Sequence, residues 1–244
     1  MPQRREGVCI MQCCLVKFTF VIDAFECDVT QISRFTSFFS MKFDCGYNFV
    51  LLALTTLTVH ARIITEDQLS QIFTGANSKL IKEYTPLLDE AMIWGQIDAC
   101  ERVVSFIAQV AVESDQLQRL QELGTGSHHE NKCPTLGNCQ PGDGKKFKGR
   151  GALRVIGRKN YASIGKELKV DFEHDPKSLA LPKYAFKAAA WIWKVNGLNS
   201  FADVNDQKSF EQIIKKLNGC LDCAAAQSAR KLQFWKKAKT VLKC

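Results

Sequence analysis

Two glutamates nine positions apart, Glu113 and Glu122, carry the chemistry this chain could do. A pair of carboxyl groups flanking a bond suits acid–base hydrolysis, one giving a proton to the leaving oxygen while the other takes a proton from an attacking water. Glu113 closes an apolar stretch in which Val103, Val104, Ile107, Val110 and Ala111 recur at helical spacing, the pattern of a buried stripe. The stripe delivers a carboxyl to the edge of a core. Apolar surroundings make a carboxyl hold its proton, as a general acid near neutral pH must. From this stretch alone a solvated helix-end glutamate is the commoner case.

The elements that must position these groups read as helices. Thr65-Glu66-Asp67-Gln68 is a capping box, followed by Leu69, Ile72 and Phe73 on one face and by Gly75 as a stop. Thr85-Pro86 predicts a second helix with proline at its first position, carrying Leu87, Leu88 and Ala91. The glutamate helix starts near Asp98. Residues 123–151 hold seven of the fifteen glycines, with Pro134 and Pro141, and form a long irregular loop stapled by Cys133 and Cys139. Helices follow over 160–168, 182–195, 210–217 and 224–241, the second ended by Asn196-Gly197. Trp191 and Trp193 in it read as core rather than as a sugar platform.

Composition narrows the class. With 46% hydrophobic and 24% charged residues in 244, the chain is ordinary globular protein. Its net charge of +8 falls wholly after residue 61, and no basic repeat or nucleic-acid signature accompanies it, so no nucleic-acid partner is expected. Residues 1–40 show no convincing period and are an extension of unknown status, expected to be disordered. Residues 41–61 read as a secretory signal: Lys42, an apolar run over 49–57, then Val59-His60-Ala61. That run is well short of the roughly twenty residues a membrane span needs, so no stable membrane association is expected. Residues 62–244 make one domain, large enough for a real core. Six late cysteines (Cys100, Cys133, Cys139, Cys220, Cys223, Cys244) suit three disulfides in a secreted, extracellular protein, with about fifteen connectivities open. Cys220-x-x-Cys223 lacks the second ligand pair of a zinc site, and no metal is expected.

The run from Leu136 to Leu153, LGNCQPGDGKKFKGRGAL, resembles the catalytic domain of glycoside hydrolase family 19, the chitinases and phage-type lysins. Further likeness follows in order at Gly157-Arg158-Lys159-Asn160-Tyr161, Ala189-Ala190-Trp191-Ile192-Trp193, Gly197-Leu198-Asn199 and Leu217-Asn218-Gly219-Cys220-Leu221-Asp222-Cys223. The resemblance implies a mostly α, lysozyme-like single domain with a central substrate cleft. It also implies endo-hydrolysis of β-1,4-linked N-acetylglucosamine polymers with inversion, Glu113 as acid and Glu122 as base. Asn160, Asn218 and an arginine near Arg230 fall where the family contacts sugar or braces its glutamates; Arg150 and Tyr161 sit in matching motifs and join them as candidate substrate-binding residues. The implied partner is chitin, with peptidoglycan as the alternative, met by a monomer without a cofactor.

Inversion sets a geometric condition. The two carboxyls must stand roughly 6.5–9.5 Å apart, whereas nine residues of unbroken helix turn about 900° and advance about 13 Å. The helix must therefore break after Glu113, and straight helix over 116–121 would exclude the pairing. Two departures from the family pattern weigh against full activity. Val112 replaces the histidine before the acid, and the usual Ile-Gln-Leu-Ser/Thr after the Gly-Arg-Gly turn has Arg154 for its glutamine and Ile156 for its hydroxyl residue. An isoleucine cannot hydrogen-bond the attacking water, which leaves a catalytically weakened chitin-binding or defence protein as a further alternative.

Overall fold

The computed structural model describes residues 62–219, 221 and 225–244, together with the backbone of 39–42 and 48–51. The chain divides into two units at residue 60, each considered by itself. In the first, strand β1 (Phe39–Lys42) pairs antiparallel with β2 (Asn48–Leu51), Phe39 opposite Leu51. The expected signal over 41–61 otherwise lies outside the described residues, as do residues 1–38.

The second unit is built around helix α3 (Cys100–Glu113). Every residue from Val103 to Val112 is buried, a wider face than the expected stripe, because neighbouring helices enclose it on all sides. Burying each of its larger apolar side chains contributes roughly 1.5–3 kcal/mol. Helix α10 (Ala225–Leu242) lies along it, and α1 (Glu66–Ile72) packs on both α10 and α2 (Ser78–Trp94). Phe106 of α3 meets Trp193 edge-on at 5.4 Å, which ties α7 (Pro182–Val195) to the same core. Trp193 is fully buried and Trp191 nearly so, as expected of core residues.

The capping box is present, Thr65 Oγ1 accepting from Gln68 N and Gln68 Oε1 accepting from Thr65 N. The second helix does not open at Pro86. It starts eight residues earlier at Ser78, capped by Asn77, and passes through the proline. Proline costs an interior helix about one hydrogen bond. Here the amphipathic face, with Ile81, Leu88, Ala91 and Met92 buried, outweighs that loss, and Thr85 Oγ1 donates to the Ile81 carbonyl at 2.6 Å.

Residues 123–151 are ordered by their own polar contacts. They contain the short helices α4 (Cys133–Leu136) and α5 (Asp143–Lys146) and a 3-10 turn at Ser127–His129. The Glu130 carboxylate accepts from Gly142 N and Gly144 N at 2.5 and 2.7 Å. Arg158, opening α6 (Arg158–Leu168), grips Asp143 with two hydrogen bonds of 2.6 and 3.0 Å and stacks on Phe147. Disulfides Cys133–Cys139 and Cys100–Cys244 close this loop and the helix pair α3–α10; Cys220 and Cys223 lie outside the described residues. The short α8 (Asn199–Ala202) leads to α9 (Gln207–Asn218).

Candidate active site

Helix α3 ends at Glu113, and the chain then does what the pairing requires. Ser114 is fully buried at the C-cap, its hydroxyl donating to the Val110 carbonyl at 2.6 Å and accepting from Leu117 N at 2.8 Å. The next three residues, Asp115, Gln116 and Leu117, all have positive φ (51°, 54° and 72°). A left-handed turn in non-glycine residues costs roughly 1–2 kcal/mol each, so outside contacts must hold it. Gln116 Oε1 accepts from Gly75 N and Gln118 Nε2 donates to Gly75 O, at 2.9 and 3.2 Å. A Cβ on Gly75 would stand 2.5 Å from Gln116 Nε2, so a larger residue there would displace that amide. Gln121 and Arg150 then pair antiparallel, with Glu122 N donating to Gly149 O at 2.9 Å. No straight helix spans 116–121.

Glu113 does not face an apolar wall. Its Oε1 accepts from Lys231 Nζ at 2.5 Å, and the same ammonium donates to Asn218 Oδ1 at 3.0 Å. Lys231 is completely buried on α10. Glu122 lies in a pocket of loop backbone: a Cβ on Gly126 (φ 80°) would sit 3.1 Å from its Oε1, and one on Gly149 would sit 3.1 Å from its Oε2. Glu122 Oε2 accepts from His129 Nε2 at 3.3 Å, while Oε1 is buried without a hydrogen-bond partner among the described residues.

Arg154 senses both glutamates. Its Nε donates to the Glu113 carbonyl at 2.8 Å, and its guanidinium feels the charges of both Glu113 and Glu122. Burial lowers its pKa from the ordinary value, and the two carboxylates oppose that shift. The residue that departs from the family glutamine thus hydrogen-bonds the backbone of the candidate acid and senses the charge of the candidate base.

The other expected residues divide. Asn218 reaches the site through Lys231. Arg150 and Tyr161 are buried and bind each other: Arg150 Nη1 donates to Tyr161 Oη at 2.9 Å and Tyr161 Oη donates to Lys148 O at 2.5 Å. Both brace the loop carrying Glu122. Burial pushes the Tyr161 hydroxyl up to about 12. Asn160 is half-buried, and its amide donates to Ile156 O at 2.8 Å, closing the start of α6. Arg230 is exposed, and the bracing cation is its neighbour Lys231. The signal was available: Lys231 precedes Trp235 by four and Ala238 by seven, the inward face of α10. A depression of about 470 Å³ is lined by Leu80, Tyr84, Arg119, Gln121, Glu122 and Lys148 among others; Glu113 is outside that lining.

No family model matches the chain. Among curated proteins it is 32% identical over 128 residues to Chitinase 4 of Oryza sativa subsp. japonica, covering 52% of this chain and 42% of that one. It is 35% identical over 86 residues to a glycosyl hydrolase family 19 domain-containing protein of Haemophilus influenzae, covering 35% and 40%. The chain spans about two-fifths of the length of these relatives. Among solved structures, chitinase C from Streptomyces griseus HUT6037 superposes with a TM-score of 0.59 at 20% identity, over 75% of this chain and 94% of that one. A family GH19 class IV chitinase from Zea mays gives 0.60 at 19%, over 75% and 94%. The chain shares its mostly helical fold with these two structures. Over about half of its length the chain is similar in sequence to a plant chitinase, and over about a third to a bacterial family 19 domain-containing protein.

Proposed function

We propose that residues 62–244 hydrolyse β-1,4-linked N-acetylglucosamine polymers, chitin first, by a single inverting displacement. Glu113 gives its proton to the glycosidic oxygen as the bond to the anomeric carbon breaks. Glu122 takes a proton from the water that attacks the opposite face. Lys231 balances the charge Glu113 acquires on giving up its proton. The observation that carries this reading is the break of α3 at Glu113, which returns Glu122 to the neighbourhood of the same guanidinium. The chitinases similar in sequence and fold support the substrate class. Two disulfides among the described residues support a secreted, extracellular protein.

The test is hydrolysis of chitin oligomers by wild type, Glu113→Gln and Glu122→Gln, with the anomer of the fresh product read by NMR. Loss of at least a hundredfold in both variants with α-anomer from wild type supports the mechanism; equal rates in all three, or β-anomer, reject it. A second reading replaces chitin by peptidoglycan. The net charge of +8, carried wholly after residue 61, favours an anionic wall, and turbidity loss of bacterial walls under the same proteins decides between them. Ile156 favours a third, a binding protein with little turnover; retention on chitin with equally inert wild type and variants would establish it.

A further inference from the structure

The loop that carries the candidate base brings two histidines to it. His128 and His129 lie with ring centroids 3.8 Å apart, their planes tilted by 48°, in the 3-10 turn Ser127–His129. One ligand atom from each of Glu122, His128 and His129 lies within 4.8 Å of the others. Two histidine nitrogens and a carboxylate oxygen are a donor set for zinc and its neighbours in the transition series, and three protein ligands leave a fourth position open.

His129 Nε2 and Glu122 Oε2, hydrogen-bonded at 3.3 Å, are also at the separation a shared ion would need. Two atoms each about 2.0–2.1 Å from a tetrahedral zinc stand about 3.3 Å from one another. The second carboxylate oxygen, Oε1, is buried without a hydrogen-bond partner among the described residues, so the group has unused ligating capacity. Gly126 (φ 80°), immediately before the 3-10 turn, lets the backbone close against Glu122 and carry both rings towards the carboxylate. His129 is buried and His128 exposed, which gives the site a fixed inner ligand and an outer one that moves to meet the ion.

We propose that Glu122, His128 and His129 form a zinc-type divalent metal site, and that the bound ion removes the Glu122 carboxylate from any role as base. The glutamate and the histidine pair lack a recognised ligand spacing, so the fold alone brings them together. Lys132 and Arg154 place positive charge nearby and work against a dication, so the site is suited to reversible inhibition rather than to permanent occupancy. Reducing that charge should tighten it. The metal site stands on the placement of three side chains, and its effect on hydrolysis rests on the proposed role of Glu122 as base.

Chelator-treated protein is titrated with zinc chloride by calorimetry, and with cobalt chloride by visible absorption, in wild type, H128A, E122Q and R154Q. The site predicts one ion per chain, a tetrahedral cobalt spectrum, at least tenfold weaker binding in H128A and E122Q, and several-fold tighter binding in R154Q. Exposed His128 makes H128A the variant least able to disturb the fold, and its circular dichroism is compared with wild type. No zinc uptake, or uptake unchanged in folded H128A, overturns the proposal. Hydrolysis of chitin oligomers with and without zinc is then read as a ratio within each variant. Zinc binding that depends on His128 but leaves wild-type hydrolysis untouched upholds the site and instead rejects Glu122 as base.

Discussion

Lys231 Nζ donates to Glu113 Oε1 at 2.5 Å, joining a fully buried ammonium on α10 to the last residue of α3. The contact spans 118 residues of sequence, and its second acceptor, Asn218, ends α9. Three helices therefore fix one carboxyl.

Removing the ammonium should damage both stability and turnover. K231M leaves Glu113 without its cation, and breaking a buried pair from one side costs roughly 3–5 kcal/mol; Glu113 is partly exposed, which places the expectation at the low end. Misplacing the acid by about 1 Å is worth up to roughly a hundredfold in rate. Urea unfolding and chitin-oligomer hydrolysis measure the two effects. R230A, one position away and exposed, should change neither.

Arg154 and Glu122 should not act independently. The guanidinium is buried enough for its pKa to fall, and Glu122 is one of the charges that opposes the shift. Stability changes of R154A and E122Q should therefore fail to add by roughly 0.5–3 kcal/mol. A double-mutant cycle in urea reads this, and strict additivity would show that the two side chains do not sense one another.

Alkali should loosen the loop that carries Glu122. Tyr161 has its hydroxyl pushed up to about 12 by burial, above the ordinary value near 10. A raised folded-state value means that its contribution is whole below about pH 10 and is lost as pH rises from there through about 12. Y161F should flatten this window. It should also cost roughly 1–3 kcal/mol at neutral pH, because Arg150 Nη1 loses a buried acceptor.

Acid acts through a different pair. Asp143 is held below its ordinary carboxylate value chiefly by the hydrogen bond from Arg158. Its stabilisation is present above the ordinary value near 3.9 and is lost as pH falls below it. D143N should remove that acid-dependent part, seen as a smaller difference in melting temperature between pH 5 and pH 3.

The Cys100–Cys244 disulfide closes a separation of 144 residues. The chain-entropy model gives about 5 kcal/mol for a loop of that length. The paired C100S and C244S replacement should lower urea stability by 2 kcal/mol or more, while leaving the helical circular dichroism unchanged in the folded state.

Much of the helical frame was legible because its signals are local. The capping box at Thr65, the apolar run ending at Glu113 and the Pro182 and Asn196-Gly197 boundaries are read from neighbours a few positions apart, and α3 and α7 follow them closely. Pro86 misled because a local rule for helix starts yielded to burial along the rest of α2. The need for a break after Glu113 also followed from sequence, through the pitch of a helix alone.

Long-range contacts decided what sequence could not. Three left-handed residues at 115–117 carry no glycine signal; they persist because Gly75, about forty residues earlier, accepts and donates across the turn. The likeness to a glycosidase family pointed to Arg230 as the brace and to Arg150 and Tyr161 as sugar contacts, yet packing turned Lys231 inward and buried the other two against each other. One residue of helix is a rotation of about 100°, enough to exchange a buried cation for an exposed one. Sequence thus determined which residue types were available and roughly where the helices lie. Only the packing of helices distant in the chain settled which charges meet, because Coulomb and hydrogen-bond energies depend on separations of a few ångströms that no local spacing encodes.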